Sequence, residues 1–318
     1  MSEFSFTERT PLEAGFAEVF ERRLVPVLER HEATRRRLRG RAKQWMAGIG
    51  VAGLGGAGAG FGFAQEVLGF ASAAFGGAGV YGAKVMIERN WQAGLGAEVI
   101  PVLCEFLGGM THGRQDISPA EFSRLGLVGS FNNAHLEDPV VGRHKEIDWA
   151  ITEARLTRRS RDSKGRSRTT TVFQGLLFRI AVDHPAPRIF FARDRGSAVN
   201  WLAEQFSSAR SGLERVEVPD PEFERSYEVY SDNPAAARAY IGPGLVEGLK
   251  LVAAHEVGGG YVGCAFEGDW LYIALPRRTG FLSLGSLFSP VSEIEEDLHA
   301  ALADLDLPRR IIDLLSGR

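Results

Sequence analysis

Two glycine- and alanine-rich apolar runs, Trp45–Ala64 and Val67–Ala83, lie almost back to back with only Gln65 and Glu66 between them. Neither run contains a charged residue. About 20 apolar residues in a helix span roughly 30 Å, the hydrocarbon thickness of a bilayer. The pair therefore predicts a transmembrane helical hairpin. Its apolar character is weak: each run holds five strongly apolar residues, among them Ile49, Leu54 and Phe61, then Leu68, Phe70 and Phe75. Each such residue favours insertion by only about 0.3–0.6 kcal/mol.

The small residues are regularly spaced. Gly48, Ala52, Gly56 and Gly60 recur every fourth position in the first run, as do Gly69, Ala73 and Gly77 in the second. Such stripes let helix backbones approach closely, which predicts helix packing within the hairpin or self-association through it. Arg35, Arg36, Arg37, Arg39, Arg41 and Lys43 precede the pair, and Lys84 and Arg89 follow it. Positive residues on both flanks place both termini in the cytoplasm and put the first cluster at headgroup level as a lipid contact. The start of the chain has no basic segment followed by an apolar core, so no secretory signal is expected. A soluble glycine-rich hairpin is the competing reading. Dinucleotide binding is rejected: Gly48–Gly53 and Gly53–Gly58 match G-x-G-x-x-G, but the residues ahead of them are arginine-rich and helical, not a strand.

Around the runs the chain divides into an amphipathic helix with a basic end (1–44), the hairpin (45–83), a juxtamembrane helix (84–115) and a cytoplasmic α+β domain (116–318). The domain is expected to have a mixed or antiparallel sheet with packed helices. Phe16, Phe20, Leu24 and Leu28 mark an apolar stripe in a helix kinked at Pro26. Val99, Val102, Leu103 and Phe106 mark another, which Gly108-Gly109 ends. These two helices are expected to pack together or pair with another subunit. Further on, strands are predicted at 147–152, 170–182, 188–193 and 227–230. Helices are predicted around Val199–Phe206 and at 244–254. Tyr261–Phe266 and Trp270–Leu275 read as a hairpin turning at Glu267-Gly268-Asp269. A final helix with Ser292 and Glu295 as a capping box runs up to Pro308.

Chemistry is harder to find. The net charge of −3 gives no global bias toward polyanions, and 44% apolar residues imply a packed core. Cys104 and Cys264 are too far apart for a metal ribbon and read as buried free thiols. The seven histidines are scattered, and no nucleophile elbow or P-loop occurs. No catalytic, cofactor-binding or metal-binding residue is assigned. One local charge run stands out: Arg155, Arg158, Arg159, Arg161, Lys164, Arg166 and Arg168 face a single acid, Asp162. As a hairpin tip it offers lipid contact, with a solvated tip as the bland alternative. Nucleic acid ranks last, because no aromatic residue interleaves with the arginines.

Between about Ala97 and Pro290 a set of segments follows in a fixed order: Gly142–Trp149, Val172–Phe178, Asp220–Glu224, Tyr227–Asp232, Ala237–Tyr240 and Leu271–Ala274. On these residues the chain resembles the bacterial family Domain of Unknown Function 3137. The resemblance implies a transmembrane pair followed by a cytoplasmic α+β domain and supplies no catalytic residues. Residues and resemblance together predict a non-enzymatic adaptor or scaffold at the bacterial inner membrane, multi-pass with both termini cytoplasmic. Its partners would be the bilayer and a protein or second copy, with no cofactor. The alternative is a small-ligand sensor or enzyme with a pocket in the α+β domain.

Overall fold

The structure is a computed structural model that describes residues 4–37, 40, 66–161, 165–193, 212–225, 227–254, 263–277 and 280–315. The chain divides into two compact units, Met1–Phe106 with Leu282–Leu302 and Leu107–Phe281 with Ala303–Arg318.

The first unit is helical. Helix α1 (Phe16–Val19) passes through a π turn at Phe20–Leu24 into α2, helical over 25–37. The π turn answers Pro26, which has no N–H for the helix ladder: immediately ahead of it, the Val25 N–H reaches back to the Phe20 carbonyl. Phe16, Phe20, Leu24 and Leu28 are all buried, as their spacing predicts. They lie on α3 (Glu66–Leu107) in antiparallel order: Phe16 meets Phe106, Arg23 pairs with Glu105, and Arg30 and His31 pair with Glu98. The 282–302 segment completes this core. Gly285 lies against Trp91 and Leu95, and Glu13 bonds His299 at 2.8 Å.

This unit bears on the predicted hairpin. Trp45–Ala64, with Gly48, Ala52, Gly56 and Gly60, lies outside the described residues. Val67–Ala83, with Gly69, Ala73 and Gly77, forms the start of the 42-residue α3, about 63 Å long. Among the described residues no helix is long and apolar enough to cross a membrane. The second run is a segment of a long helix, and its glycines and alanines add too little apolar character for a span.

The second unit is built on a seven-stranded antiparallel sheet, with strand order β1-β2-β3-β4-β6-β5 and β7 on the other edge of β4. The strands are β1 (Met110–His112), β2 (Asn133–His144), β3 (Ile147–Arg161), β4 (Ser167–Arg193), β5 (Glu214–Val216), β6 (Tyr227–Ser231) and β7 (Gly263–Pro276). The mixed α+β class with an antiparallel sheet is as expected. Two details are not. The predicted strands at 170–182 and 188–193 are one long strand, β4. The predicted hairpin of Tyr261–Phe266 and Trp270–Leu275 is also one strand: Phe266 pairs with Ile189 and Trp270 with Ala181, so both halves run along β4. Asp183–Pro187 on one strand and Glu267–Asp269 on the other mark a shared bend with register slips, not chain reversals.

Close approach at this seam explains Gly175, whose φ is +151°. A Cβ there would lie 2.1 Å from the Leu275 carbonyl oxygen. One sheet face is covered by α4 (Pro119–Arg124) and the residues after it, with Phe122, Leu125 and Leu127 packed on Ala150, Ala154, Leu177 and Tyr272. On the other side lie short helices α5 (Pro221–Glu224), α6 (Pro234–Tyr240) and α7 (Pro243–Ala254), where Phe223 meets Phe191 and Tyr240 meets Phe266. The terminal helix α8 (Glu295–Leu315) starts in the first unit and ends in the second. It continues through Pro308, where the sequence reading stopped it. Ser292 lies in a short turn, Val291–Glu293, ahead of the helix.

Candidate functional site

The basic run becomes the distal part of the β3–β4 hairpin. Thr157 makes the last β2 pair, with Asn133; beyond it Arg158, Arg159, Ser160 and Arg161 pair with Thr170, Thr169, Arg168 and Ser167. The Asn132 side chain acts as one further β2 residue: it accepts the Arg159 N–H at 2.9 Å and donates to the Arg159 carbonyl at 2.8 Å. From that clamp outward the described hairpin is a two-stranded arm, Ser160 and Arg161 against Arg168 and Ser167, reaching about 7 Å further at 3.3 Å per residue.

Strand alternation puts Arg158 and Arg168 on one face of the arm and Arg159 and Arg161 on the other. All four are exposed. Two of them bond hydroxyls: Arg158 donates to Ser130 Oγ at 3.1 Å and Arg159 to Ser167 Oγ at 3.4 Å. Among the described residues no carboxylate pairs with these four. Elsewhere in the same unit Arg124, Arg143, Arg179, Arg215 and Arg277 each hold one, Glu267, Asp148, Asp116, Glu224 and Asp304. Arg166 is exposed near the tip, and Lys164 lies outside the described residues. Asn132, Asn133, Thr157 and Thr169 border a shallow polar groove with Arg159 and Arg161. Guanidinium, hydroxyl and amide donors at this density suit phosphate oxygens.

The first basic cluster is distributed differently. Arg35 is buried and forms a fork on Glu32, Nε to Oε2 at 2.7 Å and Nη2 to Oε1 at 2.9 Å, and donates to the Leu287 carbonyl. That placement removes it from any lipid-facing surface. Arg36 also reaches Glu32, at 2.6 Å, while keeping most of its side chain exposed; Arg37 is exposed. Arg39, Arg41 and Lys43 lie outside the described residues. The arginines beside Glu32 hold its carboxyl at about 2. The acid at i−3 of Arg35 and i−4 of Arg36 was the sequence signal for this pairing.

A separate cavity of about 300 Å³ opens between the sheet and its helices, floored by Ile147, Ile180, Leu245, Phe266 and Ile312. Asp183, His184 and Tyr240 stand at its edge. Burial, with the Asp183 charge second, pushes the Tyr240 hydroxyl above its ordinary pKa. The cysteines are free and buried, as expected, and burial alone raises the Cys104 thiol to about 11. No group of three or more metal-ligating side chains occurs among the described residues.

Fold and arm define a mixed α+β protein carrying a basic β-hairpin on an antiparallel sheet. Residues 171–316 match the family described as "Protein of unknown function (DUF3137)", and the resemblance read from the sequence holds over that span. The span contains every likeness segment from Val172–Phe178 onward and excludes Gly142–Trp149. No curated protein matches the chain. Among solved structures, the mycobacterial trehalose monomycolate transport factor A, TtfA, is 13% identical, with 56% of this chain and 75% of that chain covered at a TM-score of 0.25. A likeness that low carries no argument about fold or function.

Proposed function

We propose that the chain is a non-enzymatic adaptor that presents its sheet unit at the cytoplasmic face of a bacterial inner membrane, with the β3–β4 arm turned to anionic headgroups. The observation that carries this reading is the set of four exposed arginines, on both faces of a two-stranded arm, without a carboxylate partner among the described residues. Each basic side chain near an anionic surface contributes about 1 kcal/mol, so the four together favour binding by about 4 kcal/mol, close to a thousandfold. Attachment through Trp45–Ala83, with both termini cytoplasmic, belongs to the same proposal and rests on the sequence alone. So does self-association through that stretch.

Membrane fractionation tests the reading with three chains: the intact protein, one lacking Trp45–Ala83, and one with Arg158, Arg159, Arg161 and Arg168 replaced by Gln. The intact chain is expected with membranes, and each altered chain is expected to shift toward the soluble fraction. An intact chain found wholly in the soluble fraction overturns the proposal. A small-ligand sensor is the second reading, favoured by the apolar cavity beneath Asp183, His184 and Tyr240.

A further inference from the structure

At the end of β3 opposite the arm, β1 to β4 and β7 enclose a second cavity of about 380 Å³. Val141, Gly142 and Ala150 are among the residues that line it. A side chain at position 142 would collide with Trp149, whose ring atoms lie 2.4 and 2.6 Å from the place of its Cβ.

Arg179 lies beside Ala150, its partner in register. Its guanidinium carbon lies 4.2 Å from the centre of a Trp270 ring, and Nη2 donates to Asp116 Oδ2 at 2.5 Å. Next to it Arg143 forks onto Asp148, Nε to Oδ1 at 2.6 Å and Nη2 to Oδ2 at 3.0 Å, which engages both carboxylate oxygens. Arg114 lies exposed at the rim, with no carboxylate at ion-pair distance among the described residues.

The polar inventory is therefore unbalanced. Three lining guanidinium groups meet two lining carboxylates, Asp116 and Asp148, both already engaged, and the exposed Glu146 outside the lining lies 3.7 Å from Arg143. Two buried donors on lining residues, Arg179 Nε and Trp149 Nε1, have no acceptor. A buried donor left unpaired is disfavoured, and a group rich in acceptor oxygens relieves it. Arginine forks match carboxylate and phosphate geometry, and the tryptophan wall gives a ligand body an apolar surface to lie on.

We propose that this cavity binds a small soluble anion, carried by a carboxylate or phosphate group, with Arg114, Arg143 and Arg179 as its recognition residues. The site is distinct from the arm. Asp148 and Arg161 stand at opposite ends of β3, roughly 40 Å apart at about 3.3 Å per residue, so a headgroup touching the arm does not reach the cavity. The inference goes beyond the adaptor reading and does not depend on it.

Calorimetric titration of the full chain with inorganic phosphate and with citrate tests it. Arg114→Gln removes an exposed charge that makes no ion pair with a described carboxylate and acts on Asp148 only at longer range, so the fold is expected to persist, with unchanged circular dichroism as the check. Saturable binding of at least one anion is expected in the unaltered protein, about tenfold weaker in Arg114→Gln and unchanged in the four-arginine arm variant. Three outcomes overturn the proposal: no saturable binding of either anion below about 10 mM, equal affinity in Arg114→Gln, or loss of binding in the arm variant. Vesicles containing phosphatidylglycerol separate the sources of the anion. Arg114→Gln is expected to leave vesicle binding unchanged, and a fall there would assign the cavity to a lipid headgroup and overturn the soluble-anion assignment.

Discussion

Replacing Glu32 by Gln tests whether part of the basic cluster before the glycine-rich stretch is neutralised inside the fold. The Glu32 carboxylate, about one-tenth exposed, accepts two bonds from Arg35, one from Arg36 at 2.6 Å and the Val291 N–H at 3.3 Å. These partners, Arg35 foremost, hold its pKa at about 2 against an ordinary 4.5. That difference corresponds to about 3 kcal/mol of stability. Removing the charge also leaves Arg35 buried without its acid, a loss of about 3–5 kcal/mol in comparable cases. Glu32→Gln is therefore expected to lower stability by about 3 kcal/mol at pH 7. Because the folded pKa lies below the unfolded one, the contribution is full above pH 4.5 and declines as pH falls toward 2. At pH 3 about 1 kcal/mol of it survives. Urea denaturation followed by circular dichroism, run on both proteins at pH 7 and pH 3, reads the gap directly. A gap that is the same at both pH values would refute the reasoning, as would a gap near zero at pH 7.

Other perturbations probe the sheet. Gly175→Ala drives a Cβ to 2.1 Å from the Leu275 carbonyl at a φ of +151°, so a loss of at least about 2 kcal/mol is expected in the same denaturation assay; an unchanged midpoint would mean that the β4–β7 seam yields freely. The two-residue turn between β2 and β3 puts Lys145 and Glu146 at φ of +48° and +66°. Glu146 is almost fully exposed, so Glu146→Gly is expected to stabilise the protein by about 1 kcal/mol, and a lower denaturation midpoint would count against strain at that residue.

How legible the chain was follows from the same physics. Helical stripes were plain at Phe16–Leu28 and Val99–Phe106, where spacing alone selects the buried face. The strong turn signals misled: Asp183–Pro187 and Glu267–Asp269 look like chain reversals, but two long paired strands bend together at both. The turn at Lys145-Glu146 went unseen because it contains none of the Gly or Asn residues that positive φ favours. Without it β2 had no visible boundary. Arg155–Arg168 stood out because composition alone marks it. The anion cavity did not, since Arg114 with Asp116, Arg143, Arg179 and Trp270 come from four separate segments. Its one sequence trace was Arg179, a lone charge in the apolar stretch from Leu176 to Val182, which a central strand keeps only when the charge has a partner.

Vesicle flotation of the purified full chain addresses the arm most directly. Phosphatidylcholine vesicles with and without phosphatidylglycerol are compared, using the unaltered protein and the variant with Gln at Arg158, Arg159, Arg161 and Arg168. The account predicts flotation that requires the anionic lipid, falls with added salt and is lost by at least about a hundredfold in affinity in the variant. Equal flotation of both proteins, or binding indifferent to phosphatidylglycerol, would contradict it.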